Sequence, residues 1–227
     1  MGLRIIPMSI KYKNIYRAYV KRALDITITI LFLAFFWWVY LLLAILVKKN
    51  LGSPIIFKQE RIGMNEKPFI MYKFRTMNNA VDDFGNLLPD EKRLTKFGLF
   101  LRSTSMDELP ELWNVLCGTM SLVGPRPLLE KYLPYYTEYE NHRHDVLPGI
   151  TGYAQVHGRN YVTWEDKFRM DVKYTKEISL KTDFGILWKT AQIVLRRDNV
   201  DTGSFIEKDG VIYRPLDVER AGKRGST

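Results

Sequence analysis

A chain of 227 residues, 46% of them apolar, supports one domain or at most two, with a real core. A net charge of +9 points to polyanionic partners: nucleic acid, an anionic membrane surface or phosphorylated substrates. The single cysteine, Cys117, excludes an internal disulfide and a cysteine zinc cluster, so a reducing cytosolic setting is the default.

Residues 1–22 carry Arg4, Lys11, Lys13, Arg17, Lys21 and Arg22 and no acid. Ile26 to Val47 then runs for 22 residues without a charge, enough to cross a bilayer as a helix. It is too long for a signal peptide and lacks a small-x-small cleavage site before Lys48. The chain is therefore expected to be membrane-bound. Lys48, Lys49, Lys58, Arg61 and Lys67 follow the run, so both flanks are basic and the positive-inside rule cannot orient a span. A re-entrant hairpin with both ends on the cytoplasmic face removes that conflict, and Trp37 and Trp38 at its centre suit an interface better than a bilayer midplane. Against it, no proline or glycine breaks the run, so span and hairpin both stand on the residues alone. Asp25, at the head of the run, is expected either to pair with Arg22 or to sit among headgroups.

Residues 54–60 and 67–74 read as short strands around the turn Arg61 to Asn65. Lys73 and Arg75 alternate with Phe74, which puts two cations on one face; they could hold a pyrophosphate or simply be solvated. Residues 82–91 form a turn-rich acidic loop, and residues 90–102 read as a helix.

The stretch from Arg102 to Pro127 carries the densest chemistry. Asp107 and Glu108 follow an arginine and the run Ser103-Thr104-Ser105, and Gly124-Pro125-Arg126-Pro127 makes a rigid turn with one guanidinium. A nucleophile, a base and a phosphate clamp are what phosphoryl transfer onto a carboxylate requires. The same residues read equally as a capping box, with Ser105 as N-cap and Glu108 three residues on, opening a helix from Asp107 to Cys117. The two readings are compatible, since phosphates favour helix N-termini.

Met120 to Val123 is a short apolar strand, and residues 128–141 read as a helix interrupted by Pro134. His142 and His144 have no third ligand at a recognisable spacing and read as structural. Residues 148–160 suggest a strand between two turns, with Arg159 just past a flexible glycine. Thr163 to Ile178 is predicted helical with a Thr163-x-x-Asp166 cap, as is Lys181 to Arg197. The latter gathers Phe184, Leu187, Trp188, Ala191, Val194 and Leu195 on one face, suited either to the core or to a membrane surface. The last thirty residues read as a loose polar tail. Walker A, G-x-G-x-x-G and G-x-S-x-G patterns do not occur.

Six segments, in order, resemble the bacterial sugar transferases, the monotopic phosphoglycosyl transferases. They are K-R-A-L-D at 21–25, G-S-P-I-I-F-K-Q-E-R-I-G at 52–63, Y-K-F-R-T-M at 72–77, L-R-S-T-S-M-D-E-L-P-E-L-W-N-V-L at 101–116, S-L-V-G-P-R-P at 121–127 and P-G-I-T-G-Y-A-Q-V-H-G-R-N at 148–160. The short chain is similar to the small PglC-like members. The resemblance implies transfer of a sugar-1-phosphate from a UDP-sugar to undecaprenyl (polyprenol) phosphate with release of UMP, using Mg2+ and a covalent phosphosugar on Asp107. Glu108 would be its dyad partner, Lys73, Arg75, Arg102, Arg126 and Arg159 would bind substrate phosphates, and Asp107 would also meet the metal. Nucleic acid is then not a partner. The ending weakly suggests an N-acetylated amino sugar. Trp37 and Trp38 stand where the family usually has the Ser-Pro pair that breaks its membrane helix, and re-entry remains the favoured topology.

The expected fold is α/β, mostly helical with short strands. It comprises a basic segment (1–22), a membrane-inserted helix (23–50), a compact cytosolic catalytic domain with membrane-surface helices (51–198) and a polar tail (199–227). The inner (cytoplasmic) membrane is the expected location. A basic membrane-tethered module without catalysis is the alternative; it would bind anionic lipid or nucleic acid through charge alone and ignore Asp107.

Overall fold

A computed structural model describes residues 15–158, 163–196, 206–208, 211–213 and 215–224. After a π-helical turn, Tyr16–Val20, comes helix α1, Lys21–Leu51. Its 31 residues extend for about 46 Å, long and apolar enough to cross a membrane. The helix is not regular throughout. Phe36 has φ −112° and ψ 17°, outside helical geometry, directly before Trp37 and Trp38.

Both halves of α1 dock on the same body. In the first half, Lys21 Nζ lies 2.7 Å from Asp183, and Arg22 donates to the carbonyls of Val115 (2.7 Å) and Leu116 (3.2 Å). Asp25 is buried and pairs with neither Arg22 nor headgroups: it accepts from Ser121 Oγ at 2.7 Å and from the Leu122 amide at 3.3 Å. Arg22 is drawn away because the C-terminal carbonyls of a neighbouring helix are acceptors that suit a cation. In the second half, the Tyr40 hydroxyl donates to the Leu109 carbonyl, and Leu43, Val47 and Leu51 join Phe74 and Leu101 in one apolar cluster. Between the halves, Ile30, Leu31, Phe35, Trp37 and Trp38 are exposed.

The hairpin of β1, Ile56–Ile62, and β2, Pro68–Phe74, is antiparallel with Phe57 opposite Lys73 and Arg61 opposite Phe69. Residues 90–102 are not one helix. Leu94 leaves helical geometry after α2, Asp90–Arg93, and Thr95 caps α3, Lys96–Ser103, by accepting from the Gly98 amide. A Cβ on Gly98 would stand 1.8 Å from the Thr76 carbonyl, so α3 can lie against the strand exit only with glycine there.

Helix α4 is Glu111–Cys117, and β3, Ser121–Val123, runs parallel to β4, Gly149–Thr151. The backbones of Gly124 and Gly149 touch, with no room for a side chain at either. The stretch 128–141 is a 3-10 run, Glu130–Tyr135, followed by α5, Glu138–Asn141, which opens with a capping box from Thr137. Pro134 lacks the amide a long α-helix would need.

After β4 come α6, Tyr153–His157, α7, Trp164–Lys176, and α8, Leu180–Arg196. Thr163 caps α7 as its sequence predicts, accepting from Asp166 N at 3.1 Å. Helix α8 packs part of its apolar face on the core, with Ile186 buried and Leu187 against the core cluster, whereas Phe184, Trp188 and Leu195 are exposed.

The described parts of the tail carry regular structure. After the strand pair β5, Ile206–Lys208, and β6, Val211–Tyr213, helix α9, Leu216–Arg224, returns to the body. Leu216 is fully buried with Leu128, Tyr132 and Phe168, and Arg220 grips Glu140 at 2.7 Å through both terminal nitrogens. One apolar residue with one well-met cation is enough to dock a segment whose average composition is polar.

Candidate active site

Asp107 and Glu108 lie in a 3-10 turn, Met106–Glu108, separate from α4. Pro110 opens α4, so the helix predicted from Asp107 to Cys117 is in two pieces. The capping box is not formed either. Ser105 has φ 55°, a left-handed backbone unusual for serine, and its hydroxyl caps nothing. The Glu108 carboxylate is drawn to two cations instead of back to residue 105. Its Oε1 accepts from Lys73 Nζ and from Arg126 Nη2, each at 2.7 Å.

A third carboxylate, absent from the sequence-based list, completes the group. Glu111, 1% exposed, places Oε1 3.1 Å from Lys73 Nζ. Only its spacing three residues after Glu108 hinted that it faces the same way. Asn114 supports the pair from α4: it accepts from the Tyr72 amide at 3.1 Å and donates to the Ile70 carbonyl at 2.7 Å, fastening the helix to β2 beside Lys73.

Charge is distributed unevenly. Burial would raise the Glu108 pKa, but Arg126 and Lys73 outweigh it and hold the carboxyl well below the usual range. Asp107 is buried too, and desolvation followed by the neighbouring Glu108 charge pushes it up to about 6. Glu111 rises to about 7, burial again being the main cause, against the pull of Lys73. Burial would lower Lys73, yet Glu108 more than restores it, so the ammonium persists. Asp107 makes no hydrogen bond to another described side chain or amide, and is 8% exposed.

The remaining predicted residues divide. Arg102 stands by Asp107, whose pKa it lowers, with Nε donating to Thr76 Oγ1 at 3.1 Å. Arg126 is held from behind: Arg143 donates to its carbonyl at 2.6 Å while forming a buried ion pair with Asp171 at 2.8 Å. Arg75 lines the same cavity, but it lies one residue beyond β2 and donates to the Leu51 and Ser53 carbonyls at 3.3 and 2.9 Å, not to a carboxylate. It secures the end of α1. Arg159 lies outside the described residues. The two histidines have separate structural partners, His142 with Asp145 and His144 with the Gly63 carbonyl.

These groups open on a cavity of about 900 Å³ whose wall includes Lys73, Arg102, Asp107, Glu108 and Arg126 and reaches Phe32 of α1 and Leu187 of α8. Among the described residues no three acids, histidines or cysteines gather as a metal cage. A divalent ion here would take a carboxylate such as Asp107 and complete its shell from phosphates and water, the usual habit of magnesium. The arrangement suits a polyphosphate: one carboxylate without a hydrogen-bond partner among the described residues, a second neutralised, and the cations Lys73, Arg102 and Arg126 from three segments.

The family model for bacterial sugar transferases matches residues 16–197. The chain is 50% identical over 186 residues to an uncharacterized sugar transferase, EpsL, of Bacillus subtilis, spanning 82% of this chain and 92% of that one. It is 38% identical over 192 residues to the UDP-glucose:undecaprenyl-phosphate glucose-1-phosphate transferase of Xanthomonas campestris, covering 79% of this chain and 40% of the relative. A similar likeness, 38% over 197 residues, joins it to the undecaprenyl-phosphate galactose phosphotransferase of Salmonella typhimurium, with 79% and 41% covered. The chain thus spans under half the length of these two relatives.

Proposed function

This chain belongs to the bacterial sugar transferase family, and from that premise we propose that it moves a sugar-1-phosphate from a UDP-sugar to undecaprenyl phosphate, releasing UMP. The observation that carries the reading is Asp107, a buried carboxylate beside a cation-saturated Glu108 at the wall of a large cavity. An Asp107 oxygen attacks the phosphorus nearest the sugar. The bond from that phosphorus to the bridging oxygen breaks, and UMP leaves with the electron pair. The resulting acyl phosphate is then attacked at the same phosphorus by an oxygen of the lipid phosphate, and Asp107 departs as a carboxylate. Lys73, Arg102 and Arg126 screen the phosphates as charge develops. Magnesium, when bound, supplies further charge neutralisation at the phosphates.

In this proposal α1 enters and leaves the membrane on the cytoplasmic side. Support comes from the non-helical Phe36 and from the docking of both halves on one body, with the exposed Phe35, Trp37 and Trp38 at the apex. Exposed Phe184, Trp188 and Leu195 on α8 would rest at headgroup height. The catalytic cavity then opens where the lipid phosphate lies.

The decisive experiment omits the acceptor. Purified protein is mixed with UDP-glucose, UDP-galactose or a UDP-N-acetylated amino sugar, and the peptide containing Asp107 is weighed. A sugar-phosphate adduct and one equivalent of UMP are expected with the productive donor. UMP release with the adduct on another residue, or none with any donor, would refute the reading.

A further inference from the structure

The inner face of the β1–β2 hairpin carries a cation that the reaction above leaves unused. Side chains alternate along β1, so Phe57, Gln59 and Arg61 share a face, and the register sets Phe57 against Lys73. All four line the cavity. Lys73 is committed to Glu108 and Glu111. Arg61, by contrast, makes no ion pair with any described carboxylate. Its Nη2 donates to Gln59 Oε1 at 2.7 Å, and its Nε is buried without an acceptor.

Burial, with Arg126 nearby, lowers the Arg61 pKa to about 10, so the guanidinium stays charged at neutral pH. A desolvated cation with an idle donor, next to a second guanidinium, is costly in an empty cavity and well matched to a dianion. Position selects among phosphates. Ile56, at the start of β1, clusters with Leu43 and Val47 of α1, whereas Arg61 lies five residues on, about 17 Å along the strand. There the Ile62 amide donates to the Leu128 carbonyl, just past Arg126. This end of the hairpin adjoins the G-P-R-P turn, far from where α1 leaves the bilayer.

Building on the transferase reading, we propose that Arg61, oriented by Gln59, binds the nucleotide-side phosphate of the sugar nucleotide, the one that departs with UMP. That phosphate gains charge as its bond breaks, so the same contact favours departure.

UMP, common to every UDP-sugar donor, is the probe. It is titrated calorimetrically with magnesium into full-length protein in lipid nanodiscs. Arg61→Met should weaken UMP binding about tenfold or more and raise the KM for the donor, leaving that for undecaprenyl phosphate unchanged. Arg61→Lys should recover part of the affinity. Gln59→Leu, which keeps the charge but frees it, should weaken UMP by a smaller factor at an unchanged melting temperature. Glu60→Gln, exposed on the opposite face, serves as control. Native-like UMP affinity in Arg61→Met overturns the assignment. So does a raised KM for undecaprenyl phosphate with UMP binding intact, which would give Arg61 to the lipid. Failure of the transferase reading is distinct: the native protein would then release no UMP from any donor.

Discussion

Asp183 on α8 and Asp107 before α4 are both buried carboxylates, 4% and 8% exposed. Around Asp183 both carboxylate oxygens are engaged, by three donors in all. Oδ1 accepts from Tyr174, and Oδ2 accepts from Tyr16 and from Lys21, each at 2.7 Å. Two of those donors come from the α1 region, so Asp183 is the peg on which the long apolar helix hangs. Among the described residues Asp107 has no such partners, and the neighbouring acid, Glu108, has taken two cations. A buried carboxylate that is fully met belongs to architecture. One left unmet beside a cavity is free to react.

Exchanging either acid for its amide should break that contrast most sharply. Asp107→Asn is expected to lower turnover about 10³-fold or more while leaving the melting temperature within a degree or two of native. In the native protein, kcat/KM should be half-maximal near pH 6, level off about a unit above it and fall about tenfold per unit well below it, as Asp107 takes up a proton. Steady-state kinetics beside thermal melts would decide; an inert Asp107→Asn that also fails to fold would erase the distinction. Asp183→Asn should do the reverse. It leaves Lys21 facing an amide and should cost about 3–5 kcal/mol in denaturant unfolding, with sugar-phosphate transfer surviving in whatever fraction remains folded.

His144 offers a smaller, pH-dependent version of the Asp183 case. It is buried, stacked on Tyr136 and hydrogen-bonded to Gly63, and desolvation lowers its pKa from 6.5 to about 4. The unfolded chain therefore binds more protons between those values. Stability from this site is full above pH 6.5 and is lost progressively down to pH 4, to an extent of about 3 kcal/mol. His144→Gln, which can still donate to Gly63, should flatten that slope in urea melts at pH 7 and pH 5. An equally steep slope in the variant would assign it elsewhere.

What the sequence disclosed follows from the range of the interactions. The β1–β2 hairpin was legible because alternation is local, and the Thr163 cap because it spans three residues. Asp107 and Glu108 were legible as adjacent acids among hydroxyls and cations. The partners of Asp25 were not, because Ser121 and Leu122 are nearly a hundred positions away. Arg143 behind Arg126, Asn114 behind Lys73 and Leu216 in the core escaped for the same reason. The turn that carries Asp107 does not form the capping box its sequence offered, since nothing in Ser-x-x-Glu announces that Lys73 and Arg126 will claim the glutamate.

That turn also supplies the subtlest test. A left-handed backbone at a residue with a Cβ costs about 1 kcal/mol, and Ser105 bears this two residues before Asp107. Ser105→Gly should relieve it, changing stability by only about 0.5–1 kcal/mol in the favourable direction, less the entropy glycine adds to the unfolded chain. The same freedom loosens the turn that aims Asp107. Slower formation of the Asp107 adduct, by about two- to tenfold, should therefore accompany an equal or higher melting temperature. A glycine variant that is both stabler and as fast would show that the left-handed turn is tolerated for folding alone. Stability gained with rate lost would mark it as part of the same division that separates Asp107 from Asp183.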